Sequence, residues 1–284
     1  MRKFKQGLAF SLFKFFAVLV VGILFSIVFF ILFNGIKVIN WEFLTKSPSN
    51  GMLSGGIFPA IIGTIYLIIG SIIFAVPFGV SAAIYNIEYG KNNWFVKIMR
   101  IMTNNLAGVP SIIFGLVGMA LFVNKLNFGP SLISGALTLA ILILPLIIRT
   151  TEEALKSVPE DYRTSSYSLG ASKLTTIRKV VLPAAIPNIL TGIVLSIGRV
   201  SGETAPILFT VAAYFLPHLP QSIYDQAMAL PYHLYVLVTS GTDLEASRSM
   251  AYGTALVLVA IVFAMNLLAG FFRNKMNKLN KRNS

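Results

Sequence analysis

The segment RTTEEALKSVPEDYRTSSYSLGASKLTTIRKVVLP, residues 149–183, is a charged stretch between two strongly apolar flanks. Ser157 precedes Glu160 by three residues, the spacing of a capping box, so the pattern predicts a helix that begins there and runs toward Leu169. Gly170 follows where a left-handed residue would end that helix. The segment is therefore expected to begin with a short helix and a tight turn.

The second half of the segment has the features of another helix. Ser172 is suited to cap its N-terminus, and Pro183 marks the expected transition into the next apolar run. The apolar residues that recur on one face of this helix are Leu174, Ile177 and Val181. The pattern predicts a helix-turn-helix that lies against the inner membrane surface, with a plain solvated connector as the alternative.

Uncharged runs on both sides of this segment recur along the 284-residue chain, in which 56% of the residues are hydrophobic. About 20 apolar residues suffice for a helix to cross a bilayer. Because lipid offers the backbone no hydrogen-bond partner, such runs must be helices, and the alternation typical of barrel strands is absent. The sequence predicts an all-α integral membrane protein with about six transmembrane helices, at residues 15–35, 57–87, 106–123, 132–148, 184–215 and 249–272.

Prolines fall inside four of these predicted helices. A proline inside a transmembrane helix is tolerated only where neighbouring helices or water satisfy the freed carbonyl groups. We therefore expect protein or water around Pro77, Pro110, Pro145 and Pro206.

The positions of Lys and Arg predict the orientation of the helices. Basic residues concentrate at both termini, in the loop after the second predicted helix and in segment 149–183, whereas the opposite side holds Lys37, Lys46, Lys125 and Arg248. The side richer in Lys and Arg faces the cytoplasm. We expect a multi-pass protein of the cell (inner) membrane, with a cytoplasmic N-terminus at 1–14, a transmembrane domain at 15–272 and a cytoplasmic basic tail at 273–284.

The net charge of +13 is spread over one membrane face, where it suits anionic lipid headgroups. Nucleic acid is therefore not expected as a partner. The chain has no cysteine, which excludes disulfides and thiolate metal sites. His218 and His233 lie in an outer loop without other clustered ligands, so we expect them to pack at the surface and predict no metal site.

Arg199 and Glu203 form a second notable feature, because they fall in the middle of the predicted helix 184–215. A charge at the bilayer centre costs about 2.5–3.5 kcal/mol, so such residues usually pair or line a water-filled path. Four residues apart on a helix, the two side chains share a face. One interpretation is a neutralised pair that fixes helix packing. The other is that Arg199 presents a planar cationic fork to an oxyanion in transit, with Glu203 orienting it.

Residues 164–183 resemble the EAA loop of the permeases of ABC importers. The glycine, hydrophobic, leucine and proline positions of that motif are matched by Gly170, Val180, Leu182 and Pro183, whereas Thr164-Ser165-Ser166 replaces Glu-Ala-Ala. The run Gly202-Glu203-Thr204-Ala205-Pro206 narrows the resemblance to the A-type permeases (PstA) of phosphate-specific ABC importers. The resemblance implies the type I (MetI-like) architecture, with 149–183 as a coupling-helix loop.

In that family the coupling loop docks in a groove of a cytoplasmic ATP-binding subunit. The resemblance therefore assigns the docking turn to Leu169, Gly170, Ala171 and Ser172. The phosphate-binding pattern GxxxxGK[ST] does not occur in this chain. We expect the chain not to be an enzyme and to bind no cofactor, with ATP and magnesium on the partner subunits.

The resemblance also implies the remaining partners and the substrate. These are a homologous C-type permease, a dimer of ATP-binding subunits, an extracytoplasmic phosphate-binding protein, inorganic phosphate and membrane lipid. The chain would move phosphate into the cytoplasm by alternating access, and the substrate path would contain Arg199, Glu203 and Thr204.

Two other classes of membrane protein were weighed against an importer permease. An ion-coupled secondary transporter usually has two related halves with broken helices, and no convincing similarity between halves is found here. An intramembrane hydrolase needs catalytic residues within its spans, but both histidines lie outside them and no G-x-S-x-G occurs.

Overall fold

A computed structural model describes residues 2–90, 93–241 and 243–283 of the chain. Its helices are α1 (Arg2–Gly35), α2 (Trp41–Thr45), α3 (Phe58–Ile84), α4 (Trp94–Leu106), α5 (Ser111–Gly118), α6 (Leu132–Lys156), α7 (Glu160–Ser168), α8 (Lys173–Thr176), α9 (Leu182–Ser201), α10 (Ala205–Leu208), α11 (Leu230–Thr239) and α12 (Leu244–Asn283). Two-residue strands β1 (Pro48–Ser49) and β2 (Ser54–Gly55) form a small antiparallel hairpin around a 3₁₀ turn at Asn50–Met52. π-helical turns extend α3 over Tyr85–Tyr89 and α5 over Met119–Lys125, and a third, Ile177–Val181, joins α8 to α9.

Five helical stretches are long and apolar enough to cross a membrane, which confirms the predicted all-α membrane architecture. They are Phe10–Gly35, Phe58–Tyr89, Leu132–Lys156, Lys173–Ser201 and Leu244–Met276. A sixth candidate is the pair Trp94–Leu106 and Ser111–Lys125, whose two helices are bent by 107°. The helices α1 and α12 extend through the predicted terminal regions to Arg2 and Asn283, and the division at residues 14 and 273 stays a prediction.

The predicted span 106–123 is wrong as one continuous helix. The amphipathic helix α4 ends at Leu106, and Pro110 is the residue that precedes α5. Proline lacks the N–H of a helix interior and disfavours helical geometry at the residue before it, so the chain turns at this point. The helix from Ser111 to Lys125 is consequently short, about 22 Å at 1.5 Å per residue.

The predicted span 184–215 is also wrong at both ends. The helix begins at Lys173, because α8 passes through its π turn into α9 without the expected break at Pro183. A π turn widens the helix just before a residue that has no N–H. The helix stops at Ser201, where Gly202 is the C-cap, and Pro206 then stands in the first turn of α10.

The core lies where α3 crosses α6, with α9 packed beside them. Fully buried apolar side chains of α6, including Leu139, Ile143 and Ile147, fill this crossing. Small residues let the helices approach closely: a Cβ atom at Gly118 would overlap the side chain of Thr138, and one at Gly192 would overlap Thr150.

A second apolar cluster, which includes Phe43, Met52 and Leu230, packs around α2 and α11. The expectation that His233 packs at the surface is wrong: it lies on α11, which packs against α3 and α12, and its side chain is 1% exposed. α11 lies outside the five spans, and burial lowers the pKa of His233 to about 4, so the side chain is neutral.

The close crossing at Gly118 predicts a matched pair of stability effects. Gly118→Leu forces a side chain into Thr138, so we expect it to be destabilising by about 1–3 kcal/mol. Gly22→Leu introduces the same side chain on α1, where nothing lies within 4 Å of a Cβ atom, and we expect no loss. The stability of each variant is measured as the fraction of protein that remains monodisperse after heating in detergent. Equal loss in the two variants would contradict the crossing.

Candidate functional site

The predicted helix-turn-helix is present. The first arm is α7, which ends at Ser168 with Leu169 as its C-cap, and Gly170 has φ of +80°, the left-handed conformation expected of it. The side chain of Ser172 accepts a hydrogen bond from the Thr175 N–H at 3.3 Å and caps α8, as predicted. The turn 169–172 therefore has the local structure that its sequence indicates.

The capping box at Ser157 is wrong. Pro159 is the residue that precedes α7, and the helix begins at Glu160 without a side-chain cap. Ser157 instead belongs to the end of α6: its hydroxyl donates to the Ala154 carbonyl at 2.8 Å and accepts from Asn188 Nδ2 at 3.0 Å. The reason is that α6 runs eight residues past the predicted end at 148, which places Ser157 at a C-terminus.

The tip of the helix-turn-helix is apolar and exposed, whereas its two arms are joined inside. The side chain of Leu169 is 89% exposed and that of Leu174 is 66% exposed, so Leu174 does not share the buried face of Ile177. Between the arms, the hydroxyls of Ser166 and Thr176 are hydrogen-bonded at 2.8 Å and both residues are buried. An exposed large apolar tip on a fixed support is typical of a docking surface.

Arg199 and Glu203 form the predicted pair, with Arg199 Nε 3.5 Å from Glu203 Oε1. Their position in the middle of a continuous helix is wrong, because Arg199 lies in the last turn of α9 and Glu203 lies after the Gly202 C-cap. The Arg199 side chain is 39% exposed and the Glu203 side chain 18%. The ion pair therefore links the last turn of α9 to the non-helical residues that follow it.

Arg199 lies on an open face of α9 and Glu203 points inward. Leu195, Arg199 and Gly202 are exposed along this face, one turn after another. Glu203 instead lines a small internal cavity together with Thr64 of α3 and Ile207 of α10. Thr204 precedes α10 and is half-buried, with no side-chain capping bond. The Arg199 guanidinium is therefore exposed at the end of α9, and the more buried Glu203 carboxylate pairs with it.

Sequence reasoning missed Glu88 and Arg163, whose side chains are buried where α3 meets α7 and pair at 2.8 Å. The two residues are 75 positions apart, and no periodicity connects them. The available signal was Glu88, a charged residue next to the predicted span 57–87, and it does not identify a partner. Within the described residues, no group of three or more His, Cys, Asp or Glu is placed to hold a metal ion.

Comparison with known proteins identifies relatives of the whole fold. Residues 75–278 match the family described as "Binding-protein-dependent transport system inner membrane component". The chain is 34% identical to the "Probable ABC transporter permease protein YqgI" of Bacillus subtilis (strain 168), over 94% of this chain and 95% of that protein. It is 36% identical to the "Phosphate transport system permease protein PstA" of Mycobacterium leprae (strain TN), over 82% of this chain and 75% of that protein.

A solved structure has the same fold. The chain resembles one from the inward-facing MetNI methionine ABC transporter, with a TM-score of 0.61 and 17% identity, over 78% of this chain and 94% of that one. At this identity the likeness concerns the fold, and it agrees with the MetI-like architecture expected from the sequence.

The open face of α9 predicts a labelling pattern. The natural chain has no cysteine, so single cysteines report cleanly. In the assembled protein we expect a charged thiol reagent to modify Leu195→Cys and Gly202→Cys, because both positions are exposed, and to spare Val200→Cys, which is 3% exposed. Mass spectrometry of the labelled chain is the measurement. Protection of both exposed positions, with Val200→Cys modified, would contradict this orientation of α9.

Proposed function

This chain belongs to the family of binding-protein-dependent transport system inner membrane components, and on that basis we propose that it is the permease subunit of an ATP-driven importer that moves inorganic phosphate into the cytoplasm. The substrate assignment is supported by its similarity to proteins named phosphate transport system permease protein PstA, at 32–36% identity over most of the chain. The observation that carries it is the outward-facing guanidinium of Arg199, backed by Glu203, at a break in a membrane span.

Arg199 contacts phosphate in transit. Its planar fork matches the geometry of an oxyanion, and the 3.5 Å pair with Glu203 restrains the side chain before the anion arrives. Thr204, which follows Glu203 in the sequence, supplies a hydroxyl that can donate to a phosphate oxygen. The exposed face of α9 lines a water-filled path, and a homologous C-type permease forms the opposite wall of that path.

The turn Leu169, Gly170, Ala171 and Ser172 docks on the ATP-binding subunit. Its apolar tip suits a groove, since Leu169 is 89% exposed. ATP and magnesium belong to a dimer of these partner subunits, because this chain lacks the phosphate-binding loop sequence. This permease is therefore not itself an enzyme. ATP binding draws the docking turns together and reverses the access of the path, and hydrolysis resets it.

Both termini face the cytoplasm, together with α7 and α8. Lys and Arg are concentrated on that side, where the basic groups also suit anionic lipid headgroups. The outer face, built by the hairpin β1–β2, the segment 209–229 and α11, receives an extracytoplasmic phosphate-binding protein.

Uptake of labelled phosphate tests the substrate and the role of Arg199. In phosphate-starved cells without another phosphate importer, we expect deletion of this chain to abolish high-affinity uptake, and Arg199→Met to lower it at least tenfold because the charged contact is lost. Arg199→Lys should recover part of the rate, since a point charge replaces the fork. Arg248→Met, an outer-side control, should transport normally. Wild-type kinetics in Arg199→Met would contradict the assignment.

Arginine substitutions at two left-handed glycines test the docking turn. Gly170 and Gly129 have φ of +80° and +66°, and nothing lies within 4 Å of a Cβ atom at either. Backbone strain is therefore similar, about 1–2 kcal/mol. We expect Gly170→Arg to abolish the stimulation of ATPase activity by loaded binding protein, and Gly129→Arg, in the loop between α5 and α6, to retain it. Unchanged stimulation in Gly170→Arg would count against docking through this turn.

A further inference from the structure

The cytoplasmic end of α3 is a π turn, Tyr85–Tyr89, whose polar side chains each contact a different element. Asn86 Nδ2 donates to Glu152 Oε1 of α6 at 2.7 Å. Glu88 pairs with Arg163 of α7. Lys173 Nζ, at the start of α8, lies 4.6 Å from the ring centroid of Tyr89. The π turn is thus held by α6 and by both arms of the helix-turn-helix.

The contact between Glu88 and Arg163 is a buried ion pair. Only 6% and 8% of the two side chains are exposed. Glu88 Oε1 accepts hydrogen bonds from Arg163 Nη2 at 2.8 Å and from Nε at 3.2 Å. The same guanidinium donates to the carbonyls of Leu155 at 3.1 Å and Val158 at 3.0 Å, which lie at and just beyond the end of α6. One buried cation therefore fixes three elements relative to each other.

The network continues from α6 to α4. Glu152, which accepts from Asn86, also pairs with Arg100 of α4, whose Nε lies 3.6 Å from Glu152 Oε2. The outer part of α3 in turn contributes Thr64 and Leu67 to the cavity that Glu203 lines. The helix α3 therefore connects the hydrogen-bond network at its π turn to the cavity beside the Arg199–Glu203 pair.

We propose that the π turn Tyr85–Tyr89 is the element that receives movement of the docking turn and passes it into the membrane, with Glu88 and Arg163 as the positioning residues. This inference rests on the proposed function. A buried ion pair adds little net stability compared with apolar packing, so its physical contribution is to fix relative position. Because the Arg163 guanidinium is bonded to Glu88 and to two carbonyls, α7 cannot slide on α3 without leaving a charge unpaired. The helix-turn-helix and the end of α3 consequently move as one body.

The first test uses the complete importer, reconstituted in liposomes with its binding protein. Glu88→Gln keeps the size of the side chain and removes its charge, and we expect an assembled complex whose phosphate uptake per ATP hydrolysed falls about five- to tenfold. Glu160→Gln is the matched control: Glu160 also approaches Arg163, at 3.5 Å, but its side chain is 69% exposed, so coupling should be unchanged. Lys173→Gln should lower coupling by a smaller factor. Unaltered coupling in assembled Glu88→Gln overturns the proposal.

The second test needs no substrate, and its first comparison is made with Glu88 and Arg163 both intact. Spin labels at Tyr85→Cys and Tyr162→Cys, exposed positions on the π turn and α7, report the distance between the two elements. We expect the same distance without nucleotide and with trapped ATP, and a distance that changes between these states in Glu88→Gln. A change in the otherwise natural chain overturns the proposal, as does constancy in an assembled Glu88→Gln complex. Constant spin-label distances together with absent phosphate uptake would contradict the proposed substrate alone.

Discussion

Lipid offers no hydrogen-bond partner to a peptide group, and this constraint decides where the chain can leave the helical conformation. Two such breaks separate apolar helices in the described part of the chain, and at each a local hydrogen bond satisfies a backbone N–H. Before α5, the Gly108 N–H donates to the Asn105 carbonyl at 3.0 Å, and after α9, the Glu203 N–H donates to the Val200 carbonyl at 3.2 Å. The helices that follow the two breaks, α5 and α10, pack against each other.

This pairing of breaks creates the site. Had α9 continued as a helix, Arg199 and Glu203 would both have lain on one outer stripe. Because the helix ends at Gly202, the carboxylate turns toward an internal cavity while the guanidinium stays at the open face. The same geometry exposes one hydrogen-bonding cation and shields the group that restrains it. A charge that is held but not enclosed can meet a mobile anion without large rearrangement of its surroundings.

Sequence patterns predicted the features that depend on neighbouring residues. The apolar runs predicted the membrane spans, and Gly170 and Ser172 predicted the turn and the N-cap of α8. The four-residue spacing predicted the pairing of Arg199 with Glu203. The breaks were missed because Pro110 and Gly202 lie inside apolar runs, where proline and glycine are also found in intact membrane helices. Glu88–Arg163 could not be predicted, since it depends on how α3 and α7 meet in space, and local spacing carries no information on that. The substrate site and the docking turn remain predictions.

The first helix has consequences for how the protein is made. None of the most apolar part of α1 is buried, and its contacts are with α12, where Gly35 approaches Tyr252 and Leu256 and the ring of Phe30 packs on Tyr252. A helix of this kind satisfies its own backbone and is stable in lipid before it meets its neighbours. Its partner α12 follows all the other described helices in the sequence. α1 therefore waits in the membrane for this contact while the intervening helices are made, and loss of α12 would leave it without its main neighbour.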